Sequence, residues 1–75
     1  MKIDIQINSR QNKEGQWIPM ADIFVHEANH TRCIPREWAK GFKTKETAKQ
    51  YARFNAVQYL IRNGYRKEVI FELPR

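Results

Sequence analysis

His26, Glu27, Ala28, Asn29 and His30 spell H-E-x-x-H, the string that in helical zinc sites sets two imidazoles on one face beside a general-base glutamate. That chemistry needs a helix and a third protein ligand. Here Ile23, Phe24 and Val25 lead in with residues that favour a strand. No later histidine follows, since the chain has only two, and position 36 is Arg36. Cys33 lies near enough for a loop to gather two imidazoles and a thiolate, with Glu27 or water in fourth place. The plainer reading is two exposed histidines and one small buried thiol. No metal and no cofactor is expected.

Other catalytic arrangements are equally hard to assemble. Gly15, Gly41 and Gly64 are too far apart for a glycine-rich phosphate loop, and the eight acids are scattered. Cys33 has no paired histidine and acid to activate it beyond simple proximity. The chain reads as a binding protein and not as an enzyme, with no small-molecule substrate.

The cations are better organised. Lys45, Lys49 and Arg53 recur at i, i+4 and i+8, a stripe along one helix flank. Like charges at that spacing repel by a few tenths of a kcal/mol per pair, so an anionic partner would relieve them. Arg36, Lys40 and Lys43 lead into that helix, and Arg62, Arg66 and Lys67 follow it. From Arg36 to Lys67 nine lysines and arginines face two acids, Glu37 and Glu46, which leaves +7 of a total of +6. The remainder of the chain is therefore −1. A field concentrated in this way attracts polyanions, whereas a solvated basic face is the plain alternative.

A second stripe is apolar. Phe54, Val57 and Ile61 fall at i, i+3 and i+7, about half a turn from an alanine face formed by Ala48, Ala52 and Ala56. Either a loop between strands covers it, or it meets another protein.

The elements that must position these groups follow from periodicity. Ile3, Ile5 and Ile7 alternate with polar residues as a half-buried strand. Ser9 to Gly15 reads as a hairpin loop, and a second strand runs from Gln16 to His26 with Trp17, Ala21, Ile23 and Val25 on one face. Pro19 must sit where no ladder hydrogen bond is needed. Ala28 to Pro35 reads as an irregular loop and Glu37 to Phe42 as a short third strand. Thr44 caps a helix that ends at Asn63-Gly64. Its broad buried side holds Ala48, Tyr51, Ala52, Ala56, Tyr59 and Leu60. Tyr65 to Leu73 alternates once more, with Val69, Phe71 and Leu73 inward and Glu68 and Glu72 outward.

The sum is a single small α+β domain over residues 1–75. It is a two-layer sandwich of β-β-(β)-α-β order, a three- to four-stranded mainly antiparallel sheet with one long helix on one face. A chain this short buries only about 60% of its unfolded surface, so self-association is an ordinary remedy. One cysteine fits a reducing compartment, and no apolar run approaches the roughly 20 residues of a membrane span. A cytoplasmic protein with no membrane partner is expected.

Two stretches also carry a resemblance. Gly15 to Ile23 (G-x-W-x-P-x-A-x-I) and Phe42 to Ala52 (F-x-T-x-E-x-A-x-x-Y-A) resemble small bacterial proteins of unknown function. The resemblance implies a strand followed by a helix, and little about activity. Phe42 to Ala52 is more weakly similar to the helix opening of the arm-type DNA-binding domains of phage integrases. Those pair one helix with a three-stranded sheet that enters the major groove. The leading expectation is a nucleic-acid-binding regulatory or accessory protein, for DNA or RNA, of phage or mobile-element type. The phosphate contacts would come from Arg36, Lys40, Lys43, Lys45, Lys49, Arg53, Arg62, Arg66 and Lys67. The alternative is a protein-interaction module, a homodimer or an inhibitor of a nucleic-acid enzyme, acting through Phe54, Val57 and Ile61.

Overall fold

A computed structural model describes residues 1–74. Strands β1 (Lys2–Gln11), β2 (Trp17–His26) and β3 (Thr31–Glu37) precede helix α1 (Lys45–Arg62), and a single 3-10 turn at Lys67–Val69 leads into β4 (Ile70–Glu72). The sheet order is β3-β2-β1-β4. The first three strands are antiparallel neighbours, and β4 joins β1 in parallel. The chain must therefore travel from one sheet edge to the other between β3 and β4. The helix makes that journey, which is why it lies across β2 and β1.

The alternation of β1 and β2 places one side chain in two under the helix. Ile3, Ile5 and Ile7 pair with Val25, Ile23 and Ala21, and all six are buried. Each large member contributes about 1.5–3 kcal/mol when fully buried. Ala52, Ala56 and Leu60 meet them from the helix, with Ala48 buried one turn before, and the small side chains bring the helix axis close to the sheet. Tyr51 and Tyr59 sit half-buried at the margins.

The helix boundaries follow their chemistry. The Thr44 hydroxyl accepts the Thr47 N–H at 3.2 Å, satisfying one orphan donor. Gly64 takes φ +90°, a left-handed conformation that glycine reaches without strain. Just before the cap, Trp17 and Phe42 exchange backbone hydrogen bonds of 2.8 and 2.9 Å, which pins the chain as it enters the helix.

Three elements differ from the sequence reading. Strand β1 continues to Gln11, so the hairpin loop is shorter than Ser9 to Gly15. The third strand is Thr31–Glu37, mostly inside the stretch read as irregular. Glu37 to Phe42 supplies only its last residue, the Trp38 bond to Pro19 and an isolated bridge from Phe42 to Trp17. Strand β3 is an edge with little buried area, so Ile34 is its sole aliphatic signal. The final strand spans three residues, not nine; Val69 packs on the core from the 3-10 turn, but Phe71 and Glu72 take the faces opposite to those expected. Parallel pairing puts Ile70 beside Ile3 and Glu72 beside Ile5, on the helix side, and leaves Phe71 half-exposed on the open side. It is an edge strand.

Both prolines in the sheet fall where their missing N–H costs nothing. Trp38 donates to the Pro19 carbonyl and Glu27 donates to the His30 carbonyl, which fixes the hydrogen-bonding parity along β2 and β3 at both ends. Pro19 then turns its nitrogen toward the side where β3 has already ended. Pro35 turns its nitrogen to the outer edge.

On the open face of the sheet, one polar line crosses three strands. His26 is half-buried, its Nε2 2.8 Å from Asp4 Oδ2 and its Nδ1 3.0 Å from Thr31 Oγ1. Cys33 is exposed on this face and not the buried thiol of the sequence reading, because edge strand β3 has no cover there. The H-E-x-x-H string thus straddles a strand end and a tight turn, where neither imidazole shares a helical face with the other.

Candidate nucleic-acid interface

The nine cations singled out in the sequence are distributed over three places. The first is the seam between β3 and α1. Alternation along β3 turns Arg32, Ile34 and Arg36 toward the helix side. The Arg36 guanidinium lies 4.6 Å from the centre of the Tyr59 ring. Farther along, Lys40 Nζ is 5.3 Å from the Tyr51 ring and 5.4 Å from Phe42. At the other end of the seam, Arg32 donates to the Tyr65 hydroxyl at 3.1 Å. Cations at positions 32, 36 and 40 therefore meet tyrosines at 65, 59 and 51 in antiparallel order.

The aromatic rings fix these long side chains, since a cation over a ring face gains about 0.5–1 kcal/mol at an exposed site. Trp38 supports the arrangement from below, edge-on to Tyr51 with centroids 6.4 Å apart. Lys43 and Lys45 extend the row around the start of α1, where Lys45 Nζ lies 5.8 Å from the Trp17 ring. The helix dipole already makes this end positive, and Glu46 is the acid in the first turn that opposes it.

The second place is the opposite flank of α1, beside β4. There Arg53 meets Glu72 through two of its three guanidinium nitrogens, Nη2 donating to Oε2 at 2.9 Å and Nε to Oε1. That hydrogen-bonded guanidinium holds the Glu72 carboxyl below its ordinary range, and Lys49 adds to the effect. The same pairing raises the already high value of Arg53. The i, i+4, i+8 stripe is thus split: Lys45 belongs to the first cluster, and Arg53 already has its anion.

The third place is the far end of the helix, about 27 Å from its start for 18 residues. Arg62 closes the last turn, Lys67 opens the 3-10 turn, and Arg66 lies 3.7 Å from Glu68. Among the described residues, Arg36, Lys40, Lys43, Lys45, Lys49, Arg62 and Lys67 have no carboxylate within 4.0 Å.

Of the apolar stripe, Phe54 is 65% and Ile61 41% exposed, while Val57 is half-buried against the core. No loop of the described chain folds over them. Gln50, Arg53, Gln58 and Lys67 complete a shallow groove with these three.

Sequence reasoning missed Arg32 and the tyrosine partners. The four-residue spacing of Arg32, Arg36 and Lys40 was the available signal, and it was hidden because that stretch did not read as a strand. Compared with protein-family models, with curated proteins and with solved structures, the chain matches none.

Proposed function

We propose that the protein is a small nucleic-acid-binding module whose phosphate contacts come from Arg36, Lys40, Lys43 and Lys45. What supports this reading is that Arg36, Lys40 and Lys45 are each held over an aromatic ring and lack a carboxylate within 4.0 Å. A cation restrained in this way keeps its N–H donors outward and loses little side-chain entropy when it meets a phosphate. The contacts are to backbone, so binding is tolerant of sequence. The open sheet face contributes little charge to it, because Lys2 and Arg10 there are matched by Asp4, Asp22 and Glu37.

Titration of duplex and single-stranded oligonucleotides at two salt concentrations tests the reading. Each phosphate contact contributes about 0.9 to the log–log salt slope on duplex DNA and about 0.7 on a single strand. The triple variant Arg36→Gln, Lys40→Gln, Lys45→Gln should flatten the duplex slope by roughly 2–3. It should weaken binding to unrelated sequences alike. Wild-type protein that binds neither oligonucleotide near physiological salt would exclude the function.

A further inference from the structure

The outer face of α1 carries a second surface, on the flank away from the β3 seam. Gln50, Phe54, Val57 and Ile61 follow one another at steps of four, three and four residues. That is the spacing of a seam that receives another helix knob by knob, and it runs for about 16 Å along the axis. Phe54 and Ile61 are the most exposed large apolar side chains of the helix, and no part of the described chain covers them. Each costs free energy in water that burial against a partner would recover.

The rim decides which partner. Lys67 edges the groove as a cation free of any carboxylate among the described residues, and Arg53 edges it already paired with Glu72. Gln50 and Gln58 supply neutral hydrogen-bonding groups, and among the described residues no acid lines it. A second copy of the chain would bring Lys67 and a second net charge of +6 against a rim that holds no acid among the described residues. Like charges placed across an interface disfavour it. An acidic helix does the opposite, since its carboxylates face Lys67, which has no described carboxylate within 4.0 Å, while its apolar stripe fills the groove. We infer that this groove docks an acidic amphipathic helix of another protein, with apolar residues repeating at three and four. The protein then joins two partners, a nucleic acid at the seam and an acidic helix on the opposite flank.

The test uses a synthetic peptide of about 18 residues, long enough to hold a helix, with leucines at three-four spacing and glutamates elsewhere. Its twin replaces every glutamate with lysine. Amide shift mapping on the intact chain should place the acidic peptide on Phe54, Val57, Ile61 and Lys67. Phe54→Glu should weaken it at least tenfold, and Lys67→Glu several-fold. Both side chains are exposed, so unchanged circular dichroism checks that the variants remain folded. Gln58→Glu gives a further repulsive change on the rim. Equal binding of the lysine twin would overturn the inference, as would shifts confined to another face. Self-association lost on Phe54→Glu would overturn it in favour of a second copy. Displacement of the peptide by an oligonucleotide would show one shared surface and overturn it too. Failure here leaves the salt-slope result at the seam unaffected, since the two variant sets share no residue.

Discussion

Arg53 on the helix and Glu72 on the last strand form a two-pronged ion pair that ties β4 to α1 across the sheet edge. Strand β4 has only three residues and one paired neighbour, and this side-chain link adds to the packing of Ile70 and the ladder bonds that hold it. Glu72 has a folded-state pKa lowered from its ordinary 4.5, so the pair stabilises the fold above that value. The stabilisation fades as pH falls through the lower folded value. Both side chains are more than one-third exposed, which limits the gain to about 1 kcal/mol or less. Glu72→Gln should therefore lower stability modestly at neutral pH and be indistinguishable from wild type in strong acid. Urea melts at both pH values check this, and an equal loss at each pH would refute the ionic account.

The alanine contact predicts an asymmetric response to added volume. Ala52 is fully buried between helix and sheet, whereas Gln50 faces outward. Ala52→Leu should cost about 1–3 kcal/mol by overpacking. Gln50→Leu should stay within about 0.5 kcal/mol. Thermal melts that rank the two in reverse would mean the buried face is misassigned.

Asp4 has a nearly buried carboxylate whose nearest partner is His26, with Lys2 farther off at 3.8 Å. His26→Leu leaves that carboxylate short of its main hydrogen bond and should cost about 1–3 kcal/mol. Adding Asp4→Leu removes the orphaned group. The double variant should then lose less than the sum of the singles, by about 0.5–3 kcal/mol for groups in contact. Strict additivity in denaturant unfolding would show that the two do not interact.

Zinc should leave the melting temperature unchanged, and so should a chelator. Both ring nitrogens of His26 are already engaged, by Asp4 and by Thr31, and His30 is in a turn with its Nε2 3.7 Å from Glu27. A structural zinc requires its ligands within about 2.0–2.3 Å of one point. Elemental analysis finding about one zinc per chain, lost on His30→Ala, would contradict this.

The parts of the fold that could be read from sequence are those where one face is buried. Ile3, Ile5, Ile7 and Trp17 to Val25 alternate because the helix covers every second side chain. Ala48, Ala52, Ala56 and Leu60 repeat at four because they are the ones that cover it. Strand β3 could not be read in this way. Thr31, Cys33, Pro35 and Glu37 face the open side, while Arg32 and Arg36 take the helix side at its margin, so neither face is apolar. Strand β4 misled for a different reason. Its pairing with β1 is parallel and short, so Val69 packs on the core from the turn before it while Phe71 falls on the open side. The nine cations could be picked out from the local sequence but their partners could not, because Arg36 meets Tyr59 and Arg53 meets Glu72 only through tertiary structure.

Pro35 has a consequence for the molecule at high concentration. An edge strand invites a neighbouring chain to continue the ladder, and continued ladders become fibres. Along Thr31–Glu37 the outward-facing amides belong to positions 31, 33, 35 and 37, and the proline deletes one from the middle of that row. An incoming strand would leave a carbonyl unpaired and meet a pyrrolidine ring instead. The opposite edge is made of the three residues of β4 and, beyond them, the stretch of β1 that β4 does not reach. The sheet is thus guarded against growth on its β3 side, and crowding many copies together should not extend the ladder there.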